Sequence, residues 1–171
     1  EHINTGGLTY LDVRALAIRP DIPTTLYAGT HGGGGMFRST NADAPSEAVM
    51  WESINTGLRN QWVRALAIRP LYAGTPATLY AGTEGSGVYR STDEGDSWTQ
   101  INTGLTNWTV SALAIPSDVP TTLYAGTDGG VFRSMDGGDS WEAINEGLTN
   151  WNVRALAIRP LYAGTPATLY A

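Results

Sequence analysis

The sequence predicts an all-β chain, a β-propeller of four-stranded antiparallel blades, with about 3.5 blades present. Three observations carry that prediction. First, one long phrase recurs. Ile-Asn stands at Ile3, Ile54, Ile101 and Ile144, spaced by 51, 47 and 43 residues. Ala-Leu-Ala-Ile starts at Ala15, Ala65, Ala112 and Ala155, spaced by 50, 47 and 43. Periods of this size suit a four-stranded blade and are too long for a leucine-rich repeat. Second, the segments between turn signals are short, rich in Val, Ile, Thr, Tyr and Trp, and punctuated by Gly and Pro. Third, no stretch carries a sustained helical apolar stripe.

Each unit divides into strands A to D. Strand A is expected at Val13–Ile18, Val63–Ile68, Val110–Ile115 and Val153–Ile158. Being apolar, it should lie innermost with neighbours on both faces. Strand B is expected at Thr25–Gly29, Thr78–Gly82, Thr122–Gly126 and Thr168–Ala171. Strand C is expected at Met36–Ser39, Val88–Ser91 and Val131–Ser134, and strand D at Trp51–Ile54, Trp98–Ile101 and Trp141–Ile144. The units are then 1–4 (the end of a D strand), 13–54, 63–101, 110–144 and a half unit at 153–171. Within the A–B loops, Leu71–Thr75 and Leu161–Thr165 repeat the strand B phrase and offer a second register.

Between strands C and D stand two copies of one phrase, Ser91-Thr-Asp-Glu-Gly-Asp-Ser-Trp98 and Ser134-Met-Asp-Gly-Gly-Asp-Ser-Trp141. The phrase suits a hairpin turn. Asp93 and Asp136 can accept hydrogen bonds from turn amides, Gly95 and Gly138 can supply positive φ, and Trp98 and Trp141 can pack between blades. A calcium loop is disfavoured, because the ligand spacing and distal Glu of an EF-hand are absent. The first unit departs: Ser39 to Trp51 carries an insertion of five residues and has Asn41 in the Asp position. A longer, looser hairpin is expected there.

With its flanks, Ser-x-Asp-x-Gly-x-x-Trp resembles the Asp-box of the BNR-repeat propellers. Those include sialidases, xyloglucan-degrading glycosidases, sortilin-type receptors and photosystem II assembly factors. The resemblance spans nearly the whole chain and implies the fold. It does not select an activity, because one propeller scaffold hosts many functions.

Composition narrows the partners. The chain has 171 residues, no Cys, no Lys and a formal charge of −6. Its basic residues form no run, which argues against nucleic acid and anionic membranes. No apolar segment reaches the roughly 20 residues that span a bilayer. His2 and His31 are too few for a metal site, and no cofactor is expected. Asn107-Trp-Thr109 fits a glycosylation sequon, but a chance match is the simpler reading. The chain starts inside a D strand and stops inside a B strand. Closure is therefore expected through continuation in a longer chain or through self-association, with closure as a four-bladed ring the weaker option.

In propellers the D–A and B–C loops gather around the channel mouth, which places the boxes on the other face. The mouth offers three residue sets. Tyr10, Trp62, Trp108 and Trp151 precede strand A and can stack on sugars or grip a peptide, or else cap the core. Trp62 is one position out of step with Trp108 and Trp151. Arg14, Arg64 and Arg154 share one strand A position, where the third unit has Ser111; they can hold a carboxylate or phosphate, or else pair internally. The resemblance implies the former for sialidases, which also need a Tyr-Glu nucleophile pair and an acid Asp at definite positions that this sequence does not identify. Arg38, Arg90 and Arg133 recur without exception and read as scaffold, as do Arg19, Arg69 and Arg159. His31, Glu84 and Asp128 share a third position and vary, as a binding surface or a drifting loop would. Glu84 and Asp128 are also candidates for a glycosidase acid and base, which need a separation of roughly 5–10 Å.

These features favour a non-catalytic binding or assembly scaffold, extracellular or surface-displayed, presenting its loop face to a glycan or protein. A glycoside hydrolase, or a fragment of one, is the alternative. An assembly factor for a membrane complex, implied by the resemblance, is the third.

Overall fold

The structure is a computed structural model that describes residues 7–8, 12–19, 21–22, 24–69, 77–117, 119, 121–159 and 168–171. Tyr10, His2, the expected first D strand and both copies of the A–B loop stutter lie outside these residues. Three four-stranded antiparallel sheets follow one another, then a two-stranded one. The first holds β1 (Val13–Ile18), β2 (Leu26–Thr30), β3 (Met36–Ser39) and β4 (Glu52–Ser53) in that order. The second holds β5 (Val63–Arg69), β6 (Thr78–Thr83), β7 (Gly87–Ser91) and β8 (Thr99–Gln100). The third holds β9 (Val110–Ala114), β10 (Leu123–Thr127), β11 (Gly130–Ser134) and β12 (Glu142–Ala143). The last pairs β13 (Ala157–Arg159) with β14 (Thr168–Tyr170).

The D strands are shorter than the pattern suggests, because the flanking residues serve other partners. Trp51, Trp98 and Trp141 turn into the core, each about 5% exposed or less. The Asn after each Ile ties the end of strand D back to the start of strand C. Its Oδ1 accepts from Met36 N at 2.7 Å, Val88 N at 2.9 Å and Val131 N at 2.7 Å. At the same end of each sheet, Thr30, Thr83 and Thr127 close strand B, are fully buried and donate to the carbonyls of Gly35, Gly87 and Gly130.

Blades meet through two apolar clusters. One joins Tyr27 and Met36 of the first blade to Val63, Leu79 and Tyr89 of the second, with Ile54, Leu58 and Trp98 between. The other repeats this with Tyr80, Val88, Ile101, Leu105, Val110, Leu123, Phe132 and Trp141. A glycine makes the fit possible. A Cβ on Gly29 would lie 2.6 Å from Val63 Cγ1, and one on Gly82 2.7 Å from Val110 Cγ1. The same Val packs at Gly126 through Val153.

The box turns close as hydrogen bonding demands. Ser91 Oγ donates to Asp93 and accepts from Gly95 N, and Asp93 Oδ1 accepts from Ser97 N at 2.9 Å. Ser134, Asp136, Gly138 and Ser140 repeat the set. Gly95 and Gly138 sit at φ 98° and 99°. Serine donors, Ser97 first for Asp93 and Ser140 first for Asp136, hold both carboxyls below the usual range. The indoles reach into the preceding blade, where Trp98 Nε1 donates to Ile54 O and Trp141 Nε1 to Ile101 O, both at 2.8 Å. Two of the strand C arginines cross the same junctions. Arg38 pairs with Asp96 and Glu94 O, and Arg90 with Asp139 and Gly137 O.

Three expectations need correction. The first blade's hairpin is longer but not loose: Asn41 accepts from Met50 N and donates to Ala48 O, and Val49 is fully buried. Strand A is not covered on both faces throughout. In β1, Leu16 and Ile18 are each 57% exposed, because no described element lies against them. The fourth strand A starts at Ala157 rather than Val153, because β14 offers only three partner residues.

Candidate functional site

The B–C and D–A loops are stapled together at one end of the blades. His31 N donates to Asp12 O, Glu84 N to Trp62 O and Asp128 N to Thr109 O, within each repeat. Gly35 N donates to Gln61 O, Gly87 N to Trp108 O and Gly130 N to Trp151 O, across to the next repeat. The hairpin boxes lie at the opposite strand ends. Backbone bonds, which any sequence can make, thus fix the frame, and the side chains are free to vary upon it.

Inside that rim is a cavity of about 400 Å³ lined by Arg14, His31, Arg64, Ser111 and Arg154. The strand A position therefore contributes one side chain from each of the four repeats. The arginines do not stand alone. Arg14 Nε lies 2.7 Å from Asp12, and Arg64 grips Glu84 Oε2 with NH2 at 2.7 Å and Nε at 3.0 Å. Arg154 is looser, 3.9 Å from Asp128, with its side chain 59% exposed. Ser111 Oγ is buried and has no hydrogen-bond partner among the described residues.

His31 joins the first two repeats. Its Nε2 is 3.0 Å from Glu84 Oε2 and its Nδ1 3.5 Å from Asp12 Oδ2. The Trp62 indole lies against it, ring centres 4.9 Å apart and tilted by 47°. The one-residue shift explains that contact. Gln61 occupies the place of Trp108 and Trp151, so Trp62 falls where Thr109 and Asn152 stand, against His31 and along a neighbouring groove with Gly33 and Glu84 rather than in the cavity itself. The Arg64 guanidinium, and after it His31, hold the Glu84 carboxyl below its usual range, and Arg14 does the same for Asp12.

The structure thus brings Arg14, Arg64, Arg154 and His31 together, with Glu84 and Trp62 beside them. Trp108 and Trp151 remain on the loop face, 52% and 56% exposed, but do not line the cavity. Glu84 contacts Arg64 and His31, while Asp128 stands against Arg154. Asp12 was missed in the sequence. The available signal was its place directly before the recurring Val, where Trp62, Thr109 and Asn152 also differ from one another. Among the described residues, no group of three or more His, Cys, Asp or Glu is arranged to hold a metal.

Against known proteins, no family model matches and no curated protein matches. Solved structures do. The extracellular domain of a hybrid two-component system from B. thetaiotaomicron aligns with TM-score 0.65 and 17% identity, over 92% of this chain and 20% of that one. An ancestral GH74 enzyme aligns with TM-score 0.62 and 22% identity, over 82% and 19%. YCF48 from Cyanidioschyzon merolae aligns with TM-score 0.50 and 16% identity, over 77% and 36%. All are β-propellers, and the chain has their fold. It spans about a fifth to about a third of the length of these proteins.

Proposed function

We propose that the chain is a run of successive blades, 13–54, 63–101, 110–144 and 153–171, of a non-catalytic propeller that works outside the cell. Its loop face binds a glycan or a protein. The ring is completed by further chain or by association. The observation that carries this is the cavity at the mouth, lined by Arg14, Arg64, Ser111 and Arg154, one from each repeat. Exposed Trp108 and Trp151 flank it as stacking platforms. The extracellular placement draws on the similar extracellular domain.

The glycosidase alternative draws on the likeness to a GH74 enzyme. Glu84 is unsuited to the acid half of that chemistry. A general acid must hold its proton near neutral pH, and Arg64 and His31 hold this carboxyl in the ionised form. Glycan-array and pull-down binding test the scaffold reading. Binding is expected without turnover, and Trp108→Ala or Trp151→Ala should weaken it about 5- to 150-fold, the loss of roughly 1–3 kcal/mol of ring contact. Release of a chromogenic aglycone that Glu84→Gln or Asp128→Asn abolishes would replace that reading with the hydrolase.

A further inference from the structure

The mouth is charge-balanced in an unusual way. Three guanidiniums, of Arg14, Arg64 and Arg154, face three carboxylates, of Asp12, Glu84 and Asp128. Among the described residues that line the cavity or pair with those that do, one ionisable group is left over, His31, and it sits between two of the acids. A neutral imidazole has one N–H and can serve one carboxylate; its other nitrogen then turns a lone pair toward the second. The cation donates to both. Imidazole is also the side chain whose charge changes within about pH 5 to 8. With its side chain 28% exposed, His31 can exchange its proton with solvent.

We propose that the cavity is a proton-coupled oxyanion site, which takes a ligand's carboxylate or sulfate group when His31 is protonated. The groups facing His31 are Asp12 and Arg14 on its own blade, and Trp62, Arg64 and Glu84 on the next. Across the cavity are Ser111 and Arg154. Protonation adds the one positive charge that the three acids do not match. It also gives Asp12 and Glu84 a second cationic donor, which frees donor capacity on Arg14 and Arg64 to face inward. Two donors are uncommitted beforehand: Ser111 Oγ has no partner among the described residues, and Arg154 approaches Asp128 no closer than 3.9 Å. At about 400 Å³ the cavity exceeds a lone oxyanion, so the anion enters as the head of a larger molecule.

The first blade supplies the means. Between strand B and strand C, His31-Gly-Gly-Gly-Gly35 replaces Glu84-Gly-Ser-Gly87 and Asp128-Gly-Gly130. The loop carries a titratable base where the other repeats carry permanent acids. A Cβ at Gly32 or Gly33 would meet nothing within 4 Å, so the imidazole hangs on an uncrowded turn.

This inference rests on the mouth being a binding site, but it can fail separately. Inorganic sulfate is the probe, because it does not titrate in this range, with acetate as the carboxylate arm. Calorimetry on the 171-residue chain at fixed ionic strength measures affinity from about pH 5.5 to 8. Affinity should fall about tenfold per pH unit above the imidazole pKa, and by linkage saturating sulfate should raise the His31 pKa read from its ring proton. His31→Gln should bind weakly with no pH slope. His31→Lys should bind tightly with no slope. A flat profile in the parent chain, or no sulfate or acetate binding at any pH, overturns the proposal. Array hits beside a flat sulfate profile would sink the proton coupling alone. Proton-linked sulfate binding with no glycan or protein partner would sink only the wider scaffold reading.

Discussion

One hexapeptide, Val-Arg-Ala-Leu-Ala-Ile, occurs three times, at Val13–Ile18, Val63–Ile68 and Val153–Ile158. Its fate differs each time. In β5 the strand lies between β1 and β9, Val63 is fully buried, and Leu66 and Ile68 pack against the first interblade cluster. In β1 the same residues face outward: Val13 is 40% exposed, and Leu16 and Ile18 each 57%. In the third copy Val153 is buried beside Gly126, yet only Ala157 to Arg159 form a strand. Local sequence is identical, so the difference belongs entirely to the neighbours. Hydrophobic stabilisation follows area removed from water, not residue type.

Matched substitutions test this directly. The largest effect is expected at the buried copy. Val63→Ala should cost about 2–3 kcal/mol in chemical denaturation, and Val13→Ala less than about 0.5. Equal losses would mean that β1 is covered in solution by something absent here. Next comes the glycine that receives Val63. Gly29→Ala should cost about 1–2 kcal/mol through overpacking, and the cost should shrink in a Val63→Ala background as the double-mutant cycle reports their contact.

The backbone pattern was legible because its causes are local. Alternating β-branched and aromatic residues, with glycines at turns, specify strands wherever they occur. The A, B and C strands of the first three blades could be placed from the sequence to within a residue or two, and the box turn from its Ser, Asp and Gly. Strand ends were less legible, since the Trp and Ile of each D strand are claimed by the adjacent blade. The site was half legible. The Arg14, Arg64 and Arg154 set follows from the repeat. Its partner Asp12 does not, because a carboxylate's role depends on the guanidinium that folding brings to it. Nor does the contact of His31 with Glu84, which lies 53 positions away.

The mildest test compares two arginines at equivalent places. Arg90 crosses to the next blade's turn, while Arg133 pairs with Glu142 inside its own sheet. Arg90→Ala should cost about 0.5–1 kcal/mol and Arg133→Ala a few tenths at most. If the two prove alike, the crossing contacts add nothing beyond what exposed ion pairs give.

The indole of Trp98 finds its acceptor on Ile54, and that of Trp141 on Ile101. Each hairpin is therefore locked in the sheet before it, and the unit that is copied in the sequence is offset from the unit that holds together. An extra repeat spliced between two others would bring its own peg and find a socket waiting. Such an array can lengthen or shorten by whole repeats without redesigning any junction, and under a pulling force its blades should release singly, each step breaking one peg-and-socket junction.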